Sequence, residues 1–153
     1  MKATKALALL AALLTLAVPV ATADDAWAKP KPKGALGQIL VVDDSPSVRQ
    51  QVGLALSQQG FTVTEASDGL EGLDKASKAS FNVIITDLNM PRMDGLTLVS
   101  NVRAAGVKTP IVVLSTYSSD ALRSALKAAG ANGLVVKPFN AELLLTAVRK
   151  LAG

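Results

Sequence analysis

From Ile39 onward the chain alternates two kinds of apolar spacing. Short apolar runs occupy residues 39–42, 61–63, 83–85, 111–114 and 134–136. Between them, apolar residues recur at i, i+3, i+4 and i+7. Val48, Val52, Ala55 and Leu56 form one stripe, Leu122, Ala125, Leu126 and Ala129 a second, and Leu144, Ala147, Val148 and Leu151 a third. Weaker stripes join Leu70 with Leu73, and Leu96 with Val99 and Val102. The runs have strand length and the stripes have the helical period, so the pattern predicts repeated strand–helix units, a parallel sheet and helices on both of its faces. The sequence FTVT alternates apolar with polar, as a half-exposed edge strand does, whereas ILVV and IVVL read as buried on both sides. Pro46 suits the first helical position after a cap at Asp44 or Ser45, and Gly60, Gly106 and Gly130 stand where helices should stop.

Composition changes this picture mainly at the N-terminus. The chain has 153 residues, enough for one domain with a real core. Its net charge of +4 is uneven: residues 1–35 carry five Lys against two Asp, and the remainder carries eleven Lys and Arg against ten acids. The folded part is thus close to neutral and shows no basic face with interleaved aromatics, which argues against nucleic-acid binding. There is no His and no Cys, and the lack of His removes the commonest metal ligand and the commonest general base.

Residues 1–23 have the three parts of a secretory signal peptide in order: Lys2 and Lys5, an apolar stretch over 6–20 that is short for a membrane span, and Ala21-Thr22-Ala23 as a cleavage site before Asp24. Residues 24–37 follow with Lys-Pro repeats that favour extended geometry and read as a semi-rigid linker. The domain proper is expected over 38–153.

In a parallel sheet every strand's carboxyl end lies on one edge, and ligands bind in the crevice there. The first strand brings Asp43 and Asp44 to that edge, the third Asp87, the fourth Ser115 and the fifth Lys137. Two unit charges about 5 Å apart cost about 3 kcal/mol at an effective dielectric of about 20, while a domain's total stability is only about 5–15 kcal/mol. Three carboxylates in one crevice therefore require protonation or a cation among them. Oxygen donors without His or Cys point to Mg²⁺. Taken singly, Asp44 also reads as a helix cap, Asp87 as an ordinary strand-end acid, Lys137 as a solvated lysine and Ser115 as a turn hydroxyl. The shared edge and the complementary chemistry outweigh those readings.

The segments VVDDS (41–45), TDLNMPRMDG (86–95), VVLST (112–116) and VVKPF (135–139) together resemble the receiver domains of two-component response regulators, specifically the single-domain chemotaxis type. The likeness extends over residues 37–153. It implies a flavodoxin-like, doubly wound α/β fold, (βα)5, with parallel sheet order 2-1-3-4-5. It implies Asp87 as phosphoryl acceptor. Asp44 and Asp87 would bind Mg²⁺ directly, with Asp43 acting mainly through water and Asn89 offering its backbone carbonyl. Lys137, whose bond to Pro138 is usually cis in the family, would pair with Asp87 and hold the phosphoryl oxygens, and Ser115 would hydrogen-bond the phosphoryl group. The donor would be a phosphohistidine on a histidine kinase or phosphotransfer protein, since this chain has no His. Output would pass to a protein partner through the fourth helix, fifth strand and fifth helix. Beyond its own aspartyl phosphorylation and dephosphorylation, no enzymatic activity is implied. These roles suit the chemistry, because phosphoryl transfer asks for an aligned nucleophile and cations on the developing charge more than for an acid or base.

Two features depart from the family pattern. Leu134 stands where members often carry Tyr or Phe, so the expected switch set is Ser115, Leu134 and Tyr117, the last near the site mouth where it would shield an acyl phosphate. The leader conflicts with the chemistry, because phosphohistidine donors belong to the cytoplasm while an intact signal peptide expects export to the periplasm. An uncleaved anchor, or a native start near Leu36, would resolve the conflict differently. Membrane contact is expected only through the leader. Two other functions compete: a binding module that works without phosphorylation, and a flavodoxin-like cofactor carrier. The second needs a phosphate-cradling loop after the first strand, where DDSPS places two negative charges instead.

Overall fold

The computed structural model describes residues 36–153. The leader at 1–23 and all but the last two residues of the linker lie outside the described residues. Ten elements follow one another: β1 (Gly37–Val42), α1 (Pro46–Gln58), β2 (Phe61–Ala66), α2 (Gly69–Lys78), β3 (Val83–Asp87), α3 (Gly95–Ala104), β4 (Ile111–Ser115), α4 (Asp120–Ala129), β5 (Gly133–Val136) and α5 (Ala141–Ala152). All strand pairs are parallel, in the order β2-β1-β3-β4-β5. The alternation of runs and stripes predicts the parallel strand–helix repeat, and the strand order is the flavodoxin-like one that the resemblance implies. The sheet begins at Gly37, one residue before the expected domain start.

Each helix starts on a short polar side chain that accepts from a backbone N–H three residues on: Ser45, Asp68, Asp94, Ser119 and Asn140. Ser45, rather than Asp44, caps α1, with Pro46 at the first helical position. Asp44 is thereby left to the sheet edge. The core divides on either side of the sheet. Ile39, Val41, Val83, Ile85, Val112 and Leu114 point toward α1 and α5, meeting Val52, Leu56, Leu144 and Val148. Leu40, Val42, Ile84, Ile111 and Val113 point the other way, toward Leu98, Val99, Val102 and Leu126. Strand residues one apart face opposite layers, so a strand buried on both faces must be apolar throughout.

Two stripes behave differently from their expectation. Leu70 is exposed, and α2 instead buries Gly69, Gly72 and Ala76. A Cβ on Gly72 would come within 2.8 Å of the Val42 side chain, so this helix seats by close approach of small residues, which carry little hydrophobic signal. In α4, Ala125 is exposed and only Leu126 is fully buried. Among the described residues no helix is long and apolar enough to cross a membrane.

Candidate functional site

Strand ends set the site. Asp43 follows β1 directly, and Asp87 and Ser115 are the final residues of β3 and β4. Asp43, Asp44 and Asp87 each present a carboxylate oxygen, all within 4.8 Å of one another. Asp43 and Asp87 are buried and Asp44 is exposed. The Asp43 carboxylate accepts from Ser45 N–H at 2.9 Å and from Lys137 Nζ at 3.3 Å. The Asp87 Oδ1 accepts from Leu88 N–H and from Lys137 Nζ, both at 3.0 Å. Oδ2 of Asp87 has no hydrogen-bond partner among the described residues.

Lys137 thus sits between two buried carboxylates. The resemblance pairs it with Asp87 alone and assigns Asp43 mainly to a water-mediated role; here Lys137 meets both. The need for protonation or a cation is accordingly met in part by the protein's own ammonium. Burial pulls the Lys137 pKa down, but the Asp87 hydrogen bond and the charges of Asp43 and Asp87 outweigh it, and the net shift is upward. Burial pushes the Asp43 carboxyl up, aided by the Asp87 charge and opposed by the Ser45 hydrogen bond and by Lys137, for a net rise. Against three carboxylates stands one ammonium, so the cluster keeps an excess of negative charge facing an open edge. A donor set made only of hard oxygens, with the outermost carboxylate exposed, fits Mg²⁺, which takes few protein ligands and retains water.

Ser115 is buried, and its Oγ accepts from Tyr117 N–H at 3.2 Å. Its carbonyl accepts from Lys137 N–H at 2.7 Å, which ties the ends of β4 and β5 together. The Lys137–Pro138 bond is cis, as the resemblance implies. The Tyr117 side chain is exposed. Asn89 is exposed in the loop that follows Asp87. Leu134 lies away from the carboxylates: it pairs in register with Val113 and lines a groove of about 380 Å³ together with Arg123, Leu126 and Lys127.

The start of α3 packs against the acceptor itself. A Cβ on Gly95 would fall 2.3 Å from the Asp87 carbonyl oxygen and 3.0 Å from Leu88 Cα. Both are backbone atoms that cannot swing aside. Gly95→Ala is expected to lower stability by about 2 kcal/mol or more and to slow any chemistry at Asp87; an unchanged thermal melt would contradict this packing.

Several contributors escape the sequence reading. Arg49 donates to the Asp43 carbonyl at 2.5 Å and pairs with Glu65 at 3.3 Å, fastening the strand end to α1. Asp68 caps α2 and pairs with Arg92 in the loop after Asp87. The serine–proline start of a helix betrays a cap in sequence; an ion pair between two loops 24 residues apart leaves no local pattern.

A family model described as the response regulator receiver domain matches residues 39–149. The response regulator MprA of Mycobacterium sp. (strain KMS) is 40% identical over 114 residues, covering 74% of this chain and 50% of that protein. The chain therefore spans about half the length of the curated relatives it matches. The Vibrio cholerae chemotaxis protein CheY4 is 45% identical, with a TM-score of 0.72, over 76% of this chain and 99% of that one. The receiver domain of the sensor histidine kinase PA1611 from Pseudomonas aeruginosa PAO1 is 27% identical, with a TM-score of 0.70, over 76% and 98% of the two chains, and has a magnesium ion coordinated in its active site cleft.

Proposed function

Because this chain belongs to the response regulator receiver family, we propose that it is a phosphorylation-switched signalling module with Asp87 as its phosphoryl acceptor. The observation that carries this reading is the pairing of Asp87 with Lys137 at 3.0 Å inside a three-carboxylate cluster, with Oδ2 of Asp87 unengaged among the described residues. That carboxylate oxygen forms the new O–P bond. The P–N bond of a phosphohistidine on a kinase or phosphotransfer protein breaks, and its electron pair leaves with the imidazole. Asp43, Asp44 and Asp87, with the Asn89 carbonyl, would hold Mg²⁺. When bound, the ion supplies positive charge to the transferring phosphoryl oxygens.

Lys137 is the protein's own cation for that charge. It is pre-aligned by two carboxylates, and its raised pKa keeps it protonated through the physiological range. Ser115 Oγ, held in the unphosphorylated state by the Tyr117 N–H, is the hydroxyl available to donate to a phosphoryl oxygen. A turn of the Ser115 hydroxyl toward the phosphoryl group would carry it away from the Tyr117 N–H and pass the signal toward α4 and β5. Leu134 in the groove beside α4 offers bulk without a polar rim, so an output partner there would meet an aliphatic floor flanked by Arg123 and Lys127. With output passing through α4, β5 and α5, the chemistry of the chain would be confined to its own phosphorylation and dephosphorylation.

Intact-mass measurement after mixing with a phosphohistidine-bearing phosphotransfer domain and Mg²⁺ tests the reading. Gain of one phosphoryl group is expected. No gain from any phosphohistidine donor would favour a binding module that works without phosphorylation. A companion expectation concerns Asp44. Its exposure makes its repulsion with the cluster weak, so Asp44→Ala should change metal-free stability by no more than about 1 kcal/mol, in the stabilising direction. The same variant should lose most of the Mg²⁺-induced rise in melting temperature. Retention of the full Mg²⁺ shift, read by calorimetry, would remove Asp44 from the ligand set.

A further inference from the structure

The loop between Asp87 and α3 carries the Asn89 carbonyl, and one residue in it adopts a backbone state unfavourable to any side chain with a Cβ. Arg92 has φ 67°, in the left-handed region. Its guanidinium reaches back to Asp68, whose side chain is buried while Arg92 itself is largely exposed. Asp68 uses its two oxygens for different purposes. Oδ1 accepts from Glu71 N–H at 2.9 Å and caps α2, while Oδ2 takes the arginine. The Arg92 hydrogen bond is also the leading reason that the Asp68 carboxyl lies below its ordinary pKa. Beside the ion pair the two backbones touch: a Cβ on Gly69 would come 2.6 Å from the Met93 carbonyl oxygen. An ion pair with both partners in water would contribute little. Here one partner is buried, so its counter-charge is confined to one place. A strained backbone persists where surrounding contacts dictate it, and the turn at Arg92 is flanked by these two contacts.

We propose that Arg92 is a positioning residue: acting through Asp68, it clamps residues 88–94 against the start of α2 and so fixes the Asn89 carbonyl for the cation. The part concerning the cation rests on the phosphorelay reading of the site; the clamp itself does not. Groups that orient metal ligands from one shell further out affect affinity strongly.

The test compares Arg92→Gly, which accepts the left-handed backbone but removes the guanidinium, with Asp68→Asn, which keeps an oxygen for the cap but removes the charge. Amide hydrogen exchange and calorimetric Mg²⁺ titration are read on each, with β3 and β4 amides as the control for folding. Each variant should speed exchange over 88–93 and weaken Mg²⁺ binding about tenfold. The double variant should be no worse than either single one, and Arg92→Lys should recover most of both losses. Unchanged exchange or unchanged Mg²⁺ affinity in Arg92→Gly overturns the proposal, as do additive effects in the double variant or no recovery with lysine. A wild-type protein that binds no Mg²⁺ would instead sink the phosphorelay reading, and the exchange data would still decide the clamp.

Discussion

Incubated with acetyl phosphate and Mg²⁺, the protein is expected to gain one phosphoryl group by mass, and Asp87→Asn to gain none. Acetyl phosphate removes the partner protein from the experiment, so uptake reports the pocket alone. The substitution is nearly isosteric. An amide in place of the carboxylate keeps an acceptor for the Leu88 N–H at Oδ1 but loses the anionic nucleophile and half of the charge that holds Lys137. Neither neighbouring acid is placed to substitute. Asp43 is buried with both oxygens engaged, one by Ser45 N–H and the other by Lys137, and Asp44 is exposed without the lysine beside it. Chelation of the metal should abolish uptake in the wild type as completely as the substitution does, because the cluster, with Lys137 as its one ammonium, then presents an excess of negative charge to an anionic donor. Uptake by Asp87→Asn at the wild-type rate would move the acceptor elsewhere and undo the assignment.

The strand ends were legible because chain order and sheet parallelism suffice to collect them. Once residues 39–42, 83–85, 111–114 and 134–136 are read as parallel strands, Asp43, Asp87, Ser115 and Lys137 must lie on one edge whatever their side chains do. Leu70 and Ala125 were misleading for a common reason. Apolar periodicity reports hydrophobic volume, while α2 is seated by the absence of volume at Gly69 and Gly72, and α4 meets the core mainly through Leu126. The placement of Lys137 on Asp43 as well as Asp87 was invisible because it depends on where a long flexible side chain comes to rest among competing charges. Arg92 was invisible for the same reason, and its left-handed backbone adds a conformation that glycine or asparagine, not arginine, would advertise.

Lys137→Met is expected to destabilise the metal-free protein by about 3 kcal/mol or more, the usual cost of removing one partner from a buried ionic group. Methionine has similar bulk, so the loss comes from charge rather than from a cavity. Without the ammonium, two buried carboxylates and one exposed one face each other with nothing between them. The pH dependence separates this cause from a packing defect. The folded-state pKa of Lys137 is raised above its ordinary value of 10.5, so its contribution is complete below about pH 10.5 and is lost as pH rises through the raised value. The wild type should therefore show an alkaline loss of stability that the variant lacks. On the acid side, Asp43 already holds its proton more tightly than a free carboxyl, and removing Lys137 takes away the positive charge that opposes this. Its pKa should climb further, so protonation relieves the variant at a pH where the wild type gains less. The gap between the two proteins is then widest near neutral pH and narrows toward both extremes. Saturating Mg²⁺ should close part of it, because a cation that binds only the folded state stabilises by mass action and replaces the missing charge between the same oxygens. Denaturant titrations at several pH values, with chelator and with Mg²⁺, read all of this. A gap that stays constant across pH and is untouched by Mg²⁺ would mean that Lys137 serves as packing, and the electrostatic account of the pocket would fail with it.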